Sequence, residues 1–191
     1  MSDTTAVAVP SPPTRTPIDK LLQIREELVG YSFERETVVD GVLTGLVAGH
    51  HALLIGPPGT DKSRLIRALC HRITDARYFG RLLTKFTHPD ELFGPLDVME
   101  LERGHYRRVT MGRLPEAEIA FLDEVFKSGS AILNTLLELM NERMFNDGSE
   151  RKAVPLRMLI GASNELPNPE DGLEAFADRF PLRFRVQYLQ Q

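Results

Sequence analysis

Short apolar runs alternate along this chain with stretches in which apolar residues recur every three or four positions. The runs predict buried strands, and the recurring positions predict helices with one buried face. The predicted strands cover residues 52–55, 78–86, 119–122, 156–162 and 182–186, and the predicted helices cover 17–29, 34–48, 62–73, 132–140 and 173–178. This alternation is typical of a parallel sheet with helices on both faces, so we expect an α/β fold.

Two segments stand outside the alternation. Residues 1–16 are rich in Thr, Ser, Ala and Pro and hold almost no bulky apolar side chains, so we expect a disordered tail. Residues 17–191 then form one αβα domain. Between the second and third strands, residues 95–115 carry a turn at 102–105 between extended-looking segments, which predicts an inserted hairpin.

Net charge, cysteine count and the length of the apolar runs exclude several classes of protein. The formal net charge of -4 argues against a protein that coats nucleic acid, so a nucleic-acid partner is not expected. The single cysteine, Cys70, cannot form an internal disulfide, and the first residues lack the pattern of a signal peptide. No stretch approaches the roughly 18 apolar residues of a membrane span. We therefore expect a cytoplasmic protein with no membrane partner.

Residues 56–63, with the sequence GPPGTDKS, follow a predicted strand and begin a predicted helix. A phosphate-binding loop (P-loop) requires this context, because backbone N–H groups and the helix N-terminus converge on the phosphates. Lys62 is expected to reach the β- and γ-phosphates and Ser63 to occupy one Mg²⁺ position. The alternative is an ordinary Pro/Gly turn before a helix. We predict ATP contacts at Gly56, Pro57, Pro58, Gly59, Thr60, Asp61, Lys62, Ser63 and Arg64.

Asp61 departs from the P-loop pattern, which has Gly immediately before the Lys. Two like charges about 4 Å apart cost about 4 kcal/mol at an effective dielectric near 20. Asp61 avoids this cost if it points away from the phosphates or pairs with Arg64. The departure leaves the fold prediction intact and the affinity for nucleotide open.

Two further predicted strands end in polar residues. The strand at 119–122 is followed by Asp123 and Glu124, which places both carboxylates at the C-terminal edge of a parallel sheet, where ligands bind. Asp123 is suited to hold Mg²⁺ and Glu124 to polarise the attacking water. Asn164 follows the next strand and is expected to face the γ-phosphate. The alternatives are solvated acids at a strand end and an Asn that begins a turn.

Arg179 lies at the end of a short predicted helix, where it could cross a subunit boundary to a neighbour's γ-phosphate. An arginine finger of this kind raises the rate about 10³- to 10⁵-fold. The alternative is an ion pair with Asp178 or Glu174. Arg143 is a second candidate for the finger.

Together these motifs resemble the MoxR group of AAA+ ATPases, with the RavA branch most similar. The resemblance runs from about residue 17 to 188 and includes, beside the P-loop, residues 121–127 (FLDEVFK), 131–137 (AILNTLL), 162–167 (ASNELP), 93–96 (FGPL) and 112–118 (GRLPEAE). It implies a five-stranded sheet of order 5-1-4-3-2, an ATP-driven ring, usually a hexamer, and chaperone-like remodelling of a protein substrate. It also implies a von Willebrand factor A (vWA) domain protein as partner.

Carried over by motif, Lys62 and Ser63 belong to Walker A, Asp123 and Glu124 to Walker B, Asn164 is sensor 1 and Arg179 the finger. The family continues into a helical lid after the fifth strand, whereas this sequence stops at Gln191, so we expect the lid to be absent and hydrolysis by this chain alone to be weak.

The leading prediction is therefore the ATPase core of a MoxR/RavA-like motor that uses ATP and Mg²⁺. A second hypothesis is a nucleotide-gated scaffold with little hydrolysis. Asp61 and the missing lid favour this hypothesis, and Glu124 disfavours it. A third is a nucleic-acid motor or loader, which the negative net charge disfavours.

Overall fold

The computed structural model describes residues 16–32, 34–148, 150–167 and 172–188. Apart from Thr16, the predicted tail lies outside these residues. The helices are α1 (Pro17–Tyr31), α2 (Glu36–Ala48), α3 (Lys62–Cys70), α4 (Pro89–Phe93), α5 (Val98–Glu102), α6 (Ser130–Glu142) and α7 (Glu174–Ala177). The strands are β1 (Ala52–Ile55), β2 (Tyr78–Leu82), β3 (Ile119–Asp123), β4 (Met144–Asn146), β5 (Arg151–Ala153), β6 (Met158–Ser163) and β7 (Leu182–Arg185).

Five strands form one parallel sheet of order β2-β3-β6-β1-β7. Counting only these five strands along the chain, the order is 5-1-4-3-2 from the β7 edge, which confirms the predicted fold. The central strands β1, β3 and β6 are buried along almost their whole length. Burial on both faces explains why these strands appear in the sequence as continuous apolar runs rather than as alternating patterns.

The sheet separates two apolar cores. One core packs Leu53, Leu122 and Leu159 against α6 and the segment between β2 and β3. The other packs Leu54 and Ile160, which lie next in sequence and point to the opposite face, against α1, α2 and α3. Helices therefore cover both faces, as the alternation of the sequence predicts.

Several predicted boundaries are wrong by a few residues. The first helix does not stop at Gly30 but continues to Tyr31, and α3 ends at Cys70, three residues early. The strand predicted at 78–86 ends at Leu82, because the chain then turns and the Thr84 amide donates to Thr87 Oγ1 at 2.8 Å. No helix among the described residues is long and apolar enough to cross a membrane.

The predicted insert between β2 and β3 pairs with itself in antiparallel fashion. The Asp97 amide donates to the Arg107 carbonyl and the Val109 amide to the Pro95 carbonyl, both at 2.8 Å. Its tip carries the short helix α5 instead of a simple turn, and the Asp97 side chain accepts from the amides of Met99 and Glu100 to begin that helix.

A second hairpin, β4–β5, lies between α6 and β6 and was not predicted. Its strands have three residues each, too few for a periodic apolar pattern to be recognised. The sequence Asn146-Asp147-Gly148 is nevertheless a turn signal of the kind that joins hairpin strands. Gly148 has φ +99°, the left-handed backbone that favours glycine.

His51 is the principal buried titratable group at the N-terminal edge of the sheet, with 6% of its surface exposed. Its Nδ1 accepts from the Leu159 amide at 2.9 Å, and its Nε2 lies 3.3 Å from the Met140 carbonyl. Burial, reinforced by the neighbouring Arg143 guanidinium, lowers the pKa of His51 from 6.5 to about 4.

We expect this histidine to destabilise the fold as the pH falls. The unfolded chain takes up the proton near the ordinary pKa of His, whereas the folded chain resists it down to about pH 4, so stability is present above the unfolded value and is lost below it. Between about pH 7 and about pH 5 the loss should be about 2 kcal/mol. Urea unfolding of wild type and His51→Gln at both pH values measures it, and the variant should lose that part of the dependence.

The neighbouring His50 is exposed and provides the control. His50→Gln should keep the wild-type loss of stability between the two pH values. If wild type and His51→Gln lose equal stability over this range, His51 is not the group responsible.

Candidate functional site

The P-loop, residues 56–63, joins β1 to α3. It turns through two left-handed residues, Gly59 with φ +78° and Asp61 with φ 60°. At its start, a Cβ on Gly56 would lie 1.9 Å from the carbonyl oxygen of Val186, the residue after β7, so only glycine fits there. This path places the first turn of α3, with its free amide groups, at the C-terminal edge of the sheet.

Lys62 is buried with only 7% of its surface exposed. Its Nζ donates to the carbonyl oxygens of Gly56 at 2.5 Å and Pro57 at 2.9 Å, so the ammonium lies across its own loop. Burial lowers the pKa of Lys62, while the carboxylates of Asp123 and Glu124 oppose this shift. The cation is thus held between the loop and the acidic end of β3.

Asp61 pairs with Arg64, one of the two arrangements that the sequence left open. Its Oδ2 lies 3.6 Å from Arg64 Nη1, and 68% of the Asp61 side chain is exposed. The left-handed backbone at Asp61 gives a second reason why P-loops have glycine at this position, one that the residue type alone did not indicate. Asp is one of the few residues that adopt this conformation readily.

Ser63 and Asp123 meet across the end of the sheet. Ser63 Oγ donates to Asp123 Oδ2 at 2.6 Å. A hydroxyl and a carboxylate are the oxygen ligands that Mg²⁺ takes in nucleotide sites, where water and phosphate complete the coordination. Over the described ranges no cluster of three or more His, Cys, Asp or Glu side chains could hold a metal ion. The pair therefore fits Mg²⁺ bound together with phosphates and does not fit an all-protein metal cage.

Glu124 and Asn164 also meet, as the strand order requires. Asn164, which follows β6, donates from Nδ2 to Glu124 Oε1 at 2.6 Å. Glu124 has a left-handed backbone with φ 54°, which turns the chain sharply at the end of β3. Its other carboxylate oxygen, Oε2, lies 3.3 Å from the ammonium of Lys127. Lys127 was not among the predicted site residues.

These groups surround a cavity of about 300 Å³, which we name the phosphate cavity. Its lining combines the P-loop with the polar ends of β3 and β6, and consists of residues 58–64, Arg67, Leu82, Asp123, Glu124 and Asn164. Residues distant in the sequence thus converge where each strand ends, as predicted for a parallel sheet.

A neighbouring cavity of about 450 Å³ shares Gly59, Thr60, Asp61, Lys62 and Arg64 with the phosphate cavity. Its other wall contains Tyr31, Arg35 and Tyr188, none of which was predicted. Arg64 Nε donates to Tyr31 Oη at 2.7 Å, and Tyr188 Oη donates to the Pro58 carbonyl at 3.1 Å. Tyr31 ends α1, Arg35 precedes α2 and Tyr188 follows β7, and single residues at such positions form no motif from which this wall could be predicted.

Arg179 is exposed just after α7, and the described residues offer its side chain no hydrogen bond or ion pair. The predicted alternative, a pair with Asp178, is not observed, because Asp178 pairs with Arg183 at 2.9 Å. Arg179 is therefore available to a neighbouring molecule.

Arg143 lies at the opposite edge of the sheet, beside the N-terminal end of β1. Its Nη2 donates to the Gly49 carbonyl at 3.1 Å and the Arg157 carbonyl at 3.4 Å, and its Nη1 lies 2.7 Å from His51 Nε2. These contacts favour a structural role for Arg143 over that of a finger.

Comparisons with known proteins agree with this geometry. Residues 19–191 match a family model described as the MoxR domain in the MoxR-vWA-beta-propeller ternary systems. Two uncharacterized proteins of Methanocaldococcus jannaschii are each 52% identical, over 165 and 164 residues, which is 86% and 85% of this chain. The chain spans only 43% of the length of either relative.

More distant similarities extend the comparison. A structural protein of Acidianus two-tailed virus is 34% identical over 148 residues, or 74% of this chain and 24% of the viral protein. A crystal structure of a candidate ATPase from Cytophaga hutchinsonii superposes with a TM-score of 0.66 at 22% identity and covers 91% of this chain and 55% of that one. At this identity the superposition supports the fold alone.

We predict that Asp61→Gly stabilises the protein. Glycine adopts the left-handed backbone without a Cβ penalty, so the free energy of unfolding should rise by about 0.5–1 kcal/mol. Asp61→Ala keeps the penalty and should not be stabilising. Urea unfolding of the three proteins compares them, and equal stability of the Gly and Ala variants would contradict a backbone origin.

Asp61→Asn tests the charge separately, since asparagine tolerates the same backbone. Because the carboxylate is exposed and paired with Arg64, Asn should change Mg-ATP affinity by less than about threefold. A carboxylate facing the phosphates would instead weaken binding by about 4 kcal/mol, roughly a thousandfold. Calorimetric titration distinguishes the two results.

Proposed function

Because the chain belongs to the MoxR group of AAA+ ATPases, we propose that it binds ATP with Mg²⁺ and hydrolyses the ATP to ADP and phosphate as the motor domain of a protein-remodelling machine. One observation carries the proposal. Lys62, the Ser63–Asp123 pair and the Glu124–Asn164 pair line a single cavity at the C-terminal edge of the sheet. They supply the cation, the metal ligands and the base that phosphoryl transfer to water needs.

Binding rests on Lys62 and the P-loop amides. Lys62 would neutralise charge on the β- and γ-phosphates, and the loop with the α3 N-terminus would donate N–H groups to them. Ser63 Oγ and Asp123 Oδ2, 2.6 Å apart, would hold Mg²⁺. When bound, this ion supplies positive charge that stabilises the phosphate oxygens during transfer.

Hydrolysis rests on Glu124. Its carboxylate would accept a proton from the attacking water while the water oxygen bonds to the γ-phosphorus and the bond to the bridging oxygen of ADP breaks. Asn164, whose amide already contacts Glu124, would orient that water. Arg179 would stabilise the transferring phosphoryl group of a neighbouring subunit, and its exposed position supports this role.

Several finer features of the proposal rest on the family resemblance. We propose a ring, with six subunits as the leading arrangement, membership of the RavA branch, and a chaperone-type role on protein substrates in the cytoplasm. The description of the matching family supports a vWA-domain protein as partner.

Two other functions, a scaffold and a nucleic-acid motor, are less well supported than ATP hydrolysis. A scaffold with little hydrolysis draws part of its support from Asp61, but the exposed carboxylate of Asp61 is paired with Arg64. A nucleic-acid motor requires a cationic surface, which the net charge of -4 disfavours.

Two substitutions test the proposal. Lys62→Ala should weaken Mg-ATP binding at least about 100-fold, because it removes the cation of the loop. Glu124→Gln should bind Mg-ATP as tightly as wild type and hydrolyse it at least about 100-fold more slowly, because an amide does not accept the proton. Calorimetry measures the binding and phosphate release the turnover.

Thermal unfolding of both variants controls for loss of fold. Wild-type turnover in Glu124→Gln would overturn the assignment of the base. Failure of the wild type to bind Mg-ATP at all would overturn the proposed function.

Arg179 can be tested by mixing subunits. Arg179→Ala should bind Mg-ATP normally but hydrolyse it about 100-fold or more slowly. Mixing it with Glu124→Gln should restore part of the activity, because some interfaces then combine an intact Glu124 with an intact Arg179 from the neighbour. Arg183→Ala removes the pair with Asp178 and the bonds to the Ala177 and Phe180 carbonyls, so it controls for loss of local structure around Arg179 and should keep more activity than Arg179→Ala. Mixtures as inactive as their components would contradict action across the interface.

A further inference from the structure

Both carboxylate oxygens of Glu124 have partners. Asn164 Nδ2 donates to Oε1 at 2.6 Å, and Lys127 Nζ lies 3.3 Å from Oε2. Only 16% of the Glu124 side chain is exposed. The group that would accept a proton from water is therefore held from two sides.

The backbone explains why Lys127 reaches Glu124. The left-handed conformation of Glu124 reverses the chain after β3, and residues Val125–Lys127 form a single turn of 3-10 helix. The Lys127 amide donates to the Glu124 carbonyl at 2.9 Å, which brings the lysine three residues on back beside the glutamate. The Lys127 side chain itself is 58% exposed, so its ammonium is held by the ion pair and not by packing.

We propose that Lys127 is a positioning residue that restrains Glu124 in a resting arrangement. The inference rests on the proposed function, in which Glu124 activates water. An ammonium that occupies one carboxylate oxygen competes with the attacking water for that oxygen, so Glu124 accepts a water proton less readily while the ion pair is closed. Lys127 therefore slows turnover until its ammonium moves away, although it is not among the described residues that line the phosphate cavity.

Steady-state kinetics of three proteins tests the restraint. Lys127→Met keeps the length of the side chain and removes its charge, whereas Lys127→Arg keeps the charge. With the methionine variant, kcat should rise about fivefold, the effect of opening one partly exposed ion pair, and KM for ATP should stay unchanged. Lys127→Arg should retain the wild-type kcat. A merely structural role would instead lower stability in the methionine variant without raising kcat.

A lower kcat in Lys127→Met would overturn the proposal, because the lysine would then assist the reaction. An unchanged kcat would overturn it too, since the ion pair would impose no restraint. Absence of hydrolysis in every variant would count against the proposed function. The ion pair between Lys127 and Glu124 can still be tested by a measurement that does not depend on activity.

Zero-length carbodiimide coupling supplies that measurement. Treatment of the nucleotide-free wild-type protein should join Lys127 to Glu124 as an amide with loss of water, detected by mass spectrometry of the digested peptide. Lys152, 3.4 Å from Glu150 in the β4–β5 hairpin, is the internal positive control. Glu124→Gln and Lys127→Arg should each abolish the product at Lys127 and leave the one at Lys152. Coupling at Lys152 without coupling at Lys127 would overturn the proposal even in a protein that binds Mg-ATP.

Discussion

The parallel pairing of β1 with β6 and of β6 with β3 is the constraint on which the candidate site depends. In this register Ile55 lies opposite Ser163 and Leu122 opposite Gly161, so the three strands end nearly level with one another. Their polar successors consequently meet at one edge, although about sixty residues separate the P-loop from the end of β3. A shift of one residue in β3 would turn every side chain to the other face and separate Asp123 from Ser63. The apolar side chains on both faces fix the register, and the site follows from it.

The family resemblance implied the strand order, and the hydrophobic pattern predicted the limits of β1 better than those of β2, for a physical reason. A strand buried on both faces must be apolar along its length, and β1 was predicted with its observed limits, 52–55. Four of the five residues of the edge strand β2 are exposed, so apolarity did not mark its end, and it was predicted four residues too long. The hairpin β4–β5 is held by a few hydrogen bonds and by packing of Phe145 on Phe93, which is distant in the sequence, whereas the helix α5 has no buried side chain. The spacing of apolar residues therefore does not predict such elements.

At the site, residue types could be predicted from motif and position, but their contacts could not. Lys62 lies on the carbonyls of its own loop and Lys127 pairs with Glu124, and both contacts depend on where the backbone turns. The left-handed residues Asp61 and Glu124 determine those turns, and neither is a glycine that would have signalled them. For Asp61 the sequence indicated only an electrostatic conflict, whereas the structure adds a left-handed backbone and a partner, Arg64.

The contact between Gly56 and Val186 has a mechanical consequence. The first residue of the P-loop has no room for even a methyl group beside the carbonyl of Val186, and the Val186 amide donates to Ile55 at 2.7 Å. Two residues further on, Tyr188 holds the Pro58 carbonyl. The residues that follow β7 are thus coupled to the P-loop through the Val186 backbone and the Tyr188 side chain. A displacement of the chain after β7 would therefore move Gly56 as well. A rearrangement of the P-loop would in turn displace the residues that follow β7.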